Sequence, residues 1–268
     1  MQSRFLEVMG MNDRGVCFIT GASSGLGMGL AVKLAREGYA VGVSARRGSL
    51  LEAVALQIRE AGGRAGVYPC DVAERDQVLE AIRRCEGELG AVDLLVANAG
   101  LSVNTRVDSF DVDAVERVIR VNLLGAVYAT EGVLPGMLRR GRGHLVAVSS
   151  LAGFAGLPMS AAYSASKGGM INFFESLRID LRGSGVDVTV ISPGFVRTPM
   201  TDHNRHAMPF LMDLEPAVEE MARAIRKRKK SLAFPRPLAM VVWGARILPR
   251  PLYDRIAGRV DRSKTPTV

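Results

Sequence analysis

From Val16 onward, short apolar runs alternate along the chain with longer stretches in which apolar residues recur every three or four positions. Residues 16–20, 39–44, 65–68, 92–97, 144–149 and 186–192 are dense in Val, Ile, Leu and Ala and predict strands. The amphipathic stretches at 26–37, 50–61, 73–88 and 161–181, with two more between 100 and 143, predict helices. Strands that are apolar at nearly every position belong to a parallel sheet covered by helices on both faces. Right-handed crossovers then give a doubly wound α/β sheet in a single domain. A further helix from about residue 216 and a strand at 232–235 close the pattern. No repeat, linker or low-complexity block interrupts it, and no apolar run reaches the ~20 residues of a membrane-spanning helix.

The first strand-to-helix junction carries Thr20, Gly21, Ala22, Ser23, Ser24, Gly25, Leu26 and Gly27. A glycine-rich turn at this place lets backbone approach a pyrophosphate, and the helix N-terminus offers unpaired N–H donors at positive potential. Glycine spacing alone is a weak signal, and the same turn can be only a tight connection. Its position after a buried strand and before a helix favours the dinucleotide reading. At the end of the second strand an NAD site places a carboxylate against the ribose hydroxyls, whereas here Arg46 and Arg47 follow Ala45. A guanidinium matches a phosphate dianion, so Arg46 predicts NADP(H) over NAD(H). Either arginine could equally be an ordinary solvated loop residue.

Ser149 and Ser150 end the fifth strand, and Tyr163 and Lys167 stand four positions apart on the next helix, hence on one face. An ammonium beside a phenol stabilises the phenolate and lowers its reference pKa of about 10. Tyr163 then becomes a usable general acid or base, with Ser150 placed to hydrogen-bond the same reacting oxygen.

In these motifs the sequence resembles the short-chain dehydrogenase/reductase family, in its shorter, NADP-preferring subtype, over about residues 14–200. The turn from Thr20 to Gly27 is similar to the family's cofactor turn, which assigns Gly21, Ser23, Ser24, Gly25, Leu26 and Gly27 to cofactor binding. Asn98, Ala99 and Gly100 resemble the motif bordering the adenine side, and Asp71 and Val72 the pair next to adenine. Pro193, Gly194, Val196 and Thr198 resemble the loop that holds the nicotinamide carboxamide. Asn122, Ser150, Tyr163 and Lys167 match the catalytic positions. The resemblance implies a Rossmann-like fold and hydride transfer between NADP(H) and a carbonyl or secondary alcohol. Tyr163 would be the proton donor, Lys167 would hold the nicotinamide ribose and depress the Tyr163 pKa, Ser150 would polarise the carbonyl, and Asn122 would hold a water. It also implies a homo-oligomer formed through the helices before and containing Tyr163. Alternatives are a 3-oxoacyl thioester reductase of lipid metabolism and a non-catalytic cofactor-binding scaffold.

Composition adds a compartment and an asymmetry. The three cysteines form no C-x-x-C pair, and no secretory signal precedes them. Together these predict a cytoplasmic, reducing setting. His144 opens a predicted strand and His203 and His206 sit in an arginine-rich loop without partners at ligand spacing, so no metal site is expected and all three are read as loop or surface histidines. The formal net charge of +8 is uneven: residues 1–220 hold 22 Lys/Arg against 25 Asp/Glu, and residues 221–268 hold 13 against 2. The chain therefore divides into an extension of residues 1–14, to which no role is assigned, a catalytic domain over 15–235, and a basic amphipathic segment over 236–268. That segment reads as a helix packed on the domain or a dimer partner, or as a peripheral membrane contact; its sequence offers least for nucleic acid. The family resemblance implies that residues 195–214 form a substrate lid; Met200, Met208, Phe210, Leu211 and Met212 there favour an apolar substrate, with methionine as core filler the alternative. Leu151, Phe154, Leu157 and Met159 are candidates for the facing wall.

Overall fold

The computed structural model describes residues 14–202, 204 and 207–258 of the chain. Seven strands run β1 (Val16–Thr20), β2 (Ala40–Ser44), β3 (Arg64–Val67), β4 (Val92–Ala97), β5 (Gly143–Val148), β6 (Val186–Pro193) and β7 (Ser231–Phe234). They form one sheet in the order β3-β2-β1-β4-β5-β6-β7, and every pairing is parallel. The helices between them are α1 (Gly25–Arg36), α2 (Gly48–Glu60), α3 (Arg75–Leu89), α4 (Val112–Ile119), α5 (Gly125–Arg140), α6 (Ala161–Asp180) and α7 (Leu214–Arg226). Two more, α8 (Arg236–Ile247) and α9 (Arg250–Ala257), follow the last strand. Predicted and observed strand boundaries agree to within about a residue, because uniformly apolar strands admit no other placement in a two-sided sheet.

Alternation along each strand divides the apolar residues between two cores. Phe18, Leu95, Leu145 and Ala147 face the side covered by α3, α5 and α6. Cys17, Ile19, Leu94, Val96, Val146 and Val148 face the side covered by α1, α2 and α7. The strand order reverses between β1 and β4, and in such sheets a crevice opens beyond the carboxyl ends of the two strands at the reversal. That crevice positions everything that follows.

His144 lies in β5 as the predicted strand requires, and the sequence reading is corrected in one respect: it is buried there, not a surface histidine. Its Nε2 lies 2.8 Å from the Thr189 hydroxyl, which itself donates to the Lys229 carbonyl. Thr189 has therefore spent its proton, and His144 must donate through Nε2. Burial is the main cause of a pKa lowered to about 4, with the Arg228 charge adding to it and Asp187 opposing it. His203 and His206 lie outside the described residues, as do residues 1–13 of the predicted extension. Among the described residues no cluster of three acidic, histidine or cysteine side chains is arranged to hold a metal, and all three cysteines are buried thiols.

Candidate active site

At the crevice, the turn after β1 and the segment after β4 are locked together by named bonds. Thr20 Oγ1 accepts from the backbone N–H groups of Asn98 and Ala99, both at 3.1 Å. Asn98 Nδ2 donates to the carbonyls of Thr20 at 3.0 Å and Gly21 at 3.2 Å. The approach is so close that side chains are excluded. A Cβ on Gly27 would lie 2.4 Å from both Asn98 Nδ2 and the Gly21 carbonyl oxygen. A Cβ on Gly21, whose φ is +68°, would lie 2.7 Å from the Ala99 Cα. Thr20 is thus a site-building residue that sequence reasoning left outside the binding set, although it opens the motif.

The donor set fits a dinucleotide phosphate. Ser24 caps α1 without a side-chain bond, and the first turn contains no acidic residue, so helix N–H groups face the crevice uncompensated. Arg47, rather than Arg46, reaches over the turn: its Nη2 donates to Ser23 Oγ at 3.1 Å and stands 3.4 Å from Ser24 Oγ. Arg46 is exposed and makes no ion pair or hydrogen bond among the described residues. Asp71 turns inward on its own backbone, accepting from Ala73 N–H, and Val72 is buried against α5 at Gly125. On the other side the Pro193–Gly194 loop approaches the same turn, with Thr198 in van der Waals reach of a Cβ built on Gly25. Val196 and Met212 bridge the base of the 195–214 segment. Met212 is therefore half-buried against the core, a partial departure from its predicted place in an apolar lid, whereas Met200 and Phe210 stand exposed.

The four candidate catalytic residues converge at the β4–β5 end. Tyr163 and Lys167 lie on one face of α6, with Lys167 Nζ 5.9 Å from the centre of the Tyr163 ring. Lys167 is buried and donates to the Val148 carbonyl at 2.8 Å; a Cβ on Gly100 would lie 3.4 Å from its Nζ. Asn122 lies in a π-helical turn, Arg120–Leu124, between α4 and α5, a distortion common at functional sites. Its side chain exchanges two bonds with the Leu101 backbone, at 2.8 and 2.9 Å, and donates to Ser166 Oγ at 3.0 Å. Ser166 in turn donates to the Tyr163 carbonyl. Ser150 opens the short helical turn Leu151–Gly153 after β5; its Oγ accepts from the Ala152 N–H at 3.1 Å and stands 3.5 Å from the Pro193 carbonyl oxygen. A Cβ on Gly153 would lie 2.8 Å from Lys167 backbone carbon, so only glycine lets this turn sit so close to α6.

The electrostatics differ from the sequence expectation in one respect. Burial raises the Tyr163 pKa above its ordinary value, with the Ser150 hydrogen bond opposing, and burial lowers Lys167 to about 8. The expected depression of Tyr163 by Lys167 is absent here because desolvation acts on both groups, disfavouring the charged form of each. The phenol is therefore held as an acid with its proton in place, and the amine is poised to exchange a proton near neutrality.

The short chain dehydrogenase family profile matches residues 15–209. A Myxococcus xanthus protein described as an uncharacterized oxidoreductase is 46% identical over 242 residues, covering 90% of this chain and 96% of the relative. The ketoacyl reductase HetN of Nostoc is 34% identical over 214 residues, covering 80% of this chain and 74% of that protein. Among solved structures, a variant of actinorhodin polyketide ketoreductase with NADPH superimposes with a TM-score of 0.76 at 30% identity, covering 83% of this chain and 96% of the other. The fold and the crevice define a nicotinamide-dependent oxidoreductase of the Rossmann-like class. The chain belongs to the short-chain dehydrogenase family.

Proposed function

We propose that the protein is an NADP(H)-dependent carbonyl reductase, able to run as an alcohol dehydrogenase, with Tyr163 as its general acid and base. The observation that carries this reading is the meeting of Tyr163, Lys167 and Ser150 beside Gly100, next to the glycine turn after β1. A nicotinamide dinucleotide, when bound, supplies the hydride. Gly21, Ser23, Ser24, Gly25, Leu26 and Gly27 would hold its pyrophosphate, Arg46 and Arg47 a 2′-phosphate, Asp71, Val72, Asn98 and Ala99 its adenine side. Pro193, Gly194, Val196 and Thr198 would line its nicotinamide end.

Ser150 orients the substrate carbonyl by a hydrogen bond to its oxygen. As the carbonyl carbon is reduced, Tyr163 passes its proton to that oxygen; in alcohol oxidation it takes the proton back. A raised phenol pKa keeps that proton on Tyr163 at neutral pH, which suits the reducing direction. Lys167, its pKa lowered by burial to about 8, restores the proton to the phenolate left behind. Asn122 fixes the Leu101 backbone and, through Ser166, the first turn of α6, and so acts as a positioning residue. The exposed Met200 and Phe210 favour a lipophilic substrate. Exposed Leu138 on α5 and Ile179 on α6 support a homo-oligomer built on these two helices.

A second reading, reduction of a 3-oxoacyl thioester, is favoured by the printed activities of the Nostoc and polyketide relatives. NADPH consumption against ketones, steroids and 3-oxoacyl thioesters separates the two. Tyr163→Phe is expected to bind NADPH as the parent does and to lose turnover by about a thousandfold. Retained turnover would refute the acid assignment. Arg47→Asp is expected to cut the preference for NADPH over NADH by at least about tenfold, as lost charge-assisted bonds to phosphate require. An unchanged ratio would remove the arginine from the 2′-phosphate site.

A further inference from the structure

The helices after β7 carry two different faces. On α8, Leu238, Ala239 and Val242 pack on Leu151, Phe154 and Phe195, and Trp243 meets Phe154 edge-on at 6.2 Å between centroids. On α9, the Tyr253 hydroxyl donates to the Gly156 carbonyl. These contacts dock both helices on the loop that begins at Ser150. Met240 and Ile247 lie on the opposite, outward stripe of α8, 68% and 85% exposed, and Trp243, 49% exposed, stands at its edge between the two faces. Leu252 and Ile256, four positions apart, continue the exposed apolar surface on α9.

This apolar surface is bordered by exposed Arg236, Arg246, Arg250 and Arg255, none of which forms an ion pair among the described residues. Asp254 is the one acidic residue in 236–258. The preceding basic run is different, because Arg226 is paired with Glu37 and Arg228 with Asp187 on the domain. Unpaired cations thus gather beside the apolar stripe. A face meant for a second copy of the chain would bury these arginines against the same patch, which offers them one carboxylate, Asp254. A lipid surface with anionic headgroups satisfies them, while Trp and the aliphatic side chains enter the headgroup boundary.

We propose that α8 and α9 form a peripheral anchor that seats this protein on an anionic lipid surface. No described helix is long and apolar enough to cross a membrane, so the contact lies in the interface plane. Because α8 packs its inner face on Leu151 and Phe154, the anchor places the wall of the Ser150 site at the bilayer surface, where a lipophilic substrate would enter. That consequence alone rests on the reductase reading; lipid binding does not.

Trp243 is the single tryptophan of the chain and reports on the face directly. The full chain is mixed with vesicles of phosphatidylcholine, or of phosphatidylcholine with phosphatidylglycerol, and followed by sedimentation and Trp243 emission. Binding to the mixed vesicles alone, with a blue shift, is expected. Ile247→Asp should lower partitioning at least about tenfold. The combined Arg246→Gln, Arg250→Gln and Arg255→Gln variant should lower it on the order of a hundredfold. Both variants should melt within about two degrees of the parent, since every altered side chain is exposed. Absence of sedimentation with anionic vesicles, or equal binding to neutral ones, would overturn the proposal. So would a blue shift that follows protein concentration without vesicles, which would give the face to a second copy. Either result would leave NADPH turnover, and so the reductase reading, untouched.

Discussion

The two sides of the crevice are built on opposite principles. On the dinucleotide side, two short side chains clamp backbone to backbone: four hydrogen bonds through the Thr20 hydroxyl and the Asn98 amide join Thr20 and Gly21 to Asn98 and Ala99, so closely that no Cβ fits at Gly21 or Gly27. On the substrate side, apolar side chains such as Met200 and Phe210 stand exposed, and the 195–214 segment is tied mainly at its base through Val196 and Met212. A cofactor is the same in every turnover, so its site can be rigid. The proposed substrate surface leaves its apolar groups exposed.

The largest expected difference lies in how each side tolerates one methyl group. Gly27→Ala should cost about 3 kcal/mol in denaturant unfolding, because its Cβ meets a carbonyl oxygen and an amide that are both already bonded. It should also abolish NADPH binding; a stable, cofactor-binding Gly27→Ala protein would break the contrast. His144, at the far end of the same sheet, separates loss of fold from loss of site. Its pKa is about 4 in the folded protein, below the ordinary histidine value, so the unfolded chain takes up the proton first as pH falls. Its contribution is complete above about pH 6.5 and is lost progressively toward pH 4, reaching roughly 3 kcal/mol. Urea unfolding of the parent and His144→Gln at pH 7 and pH 4 should show the parent losing more stability on acidification. A parallel loss in both would remove His144 as the cause. The smallest effect is expected on the substrate side, where Phe210→Ala should change stability by less than about 0.5 kcal/mol. The same change should raise KM for an apolar ketone several-fold, and an unaltered KM would take Phe210 out of the substrate surface.

The candidate chemical positions were readable in the chain because they rely on local spacing. Tyr163 and Lys167 need only one helix to share a face, and the glycine turn needs only a strand before it and a helix after it. Uniformly apolar strands likewise imply a two-sided parallel sheet before any contact is seen. Other features depend on residues far apart in sequence, which no local pattern reports. The Thr20–Asn98 clamp spans 78 positions, and the choice of Arg47 over Arg46 is made by which side chain reaches Ser23. Burial of His144 follows from β5 lying between β4 and β6. The upward pKa of Tyr163 follows from the desolvation that folding imposes, a quantity that spacing does not contain. The amino-acid order by itself determined which side chains could do chemistry and on which elements they ride. Tertiary packing alone decided their protonation, their partners and which face of the last two helices was left bare, because each depends on what the fold brings alongside.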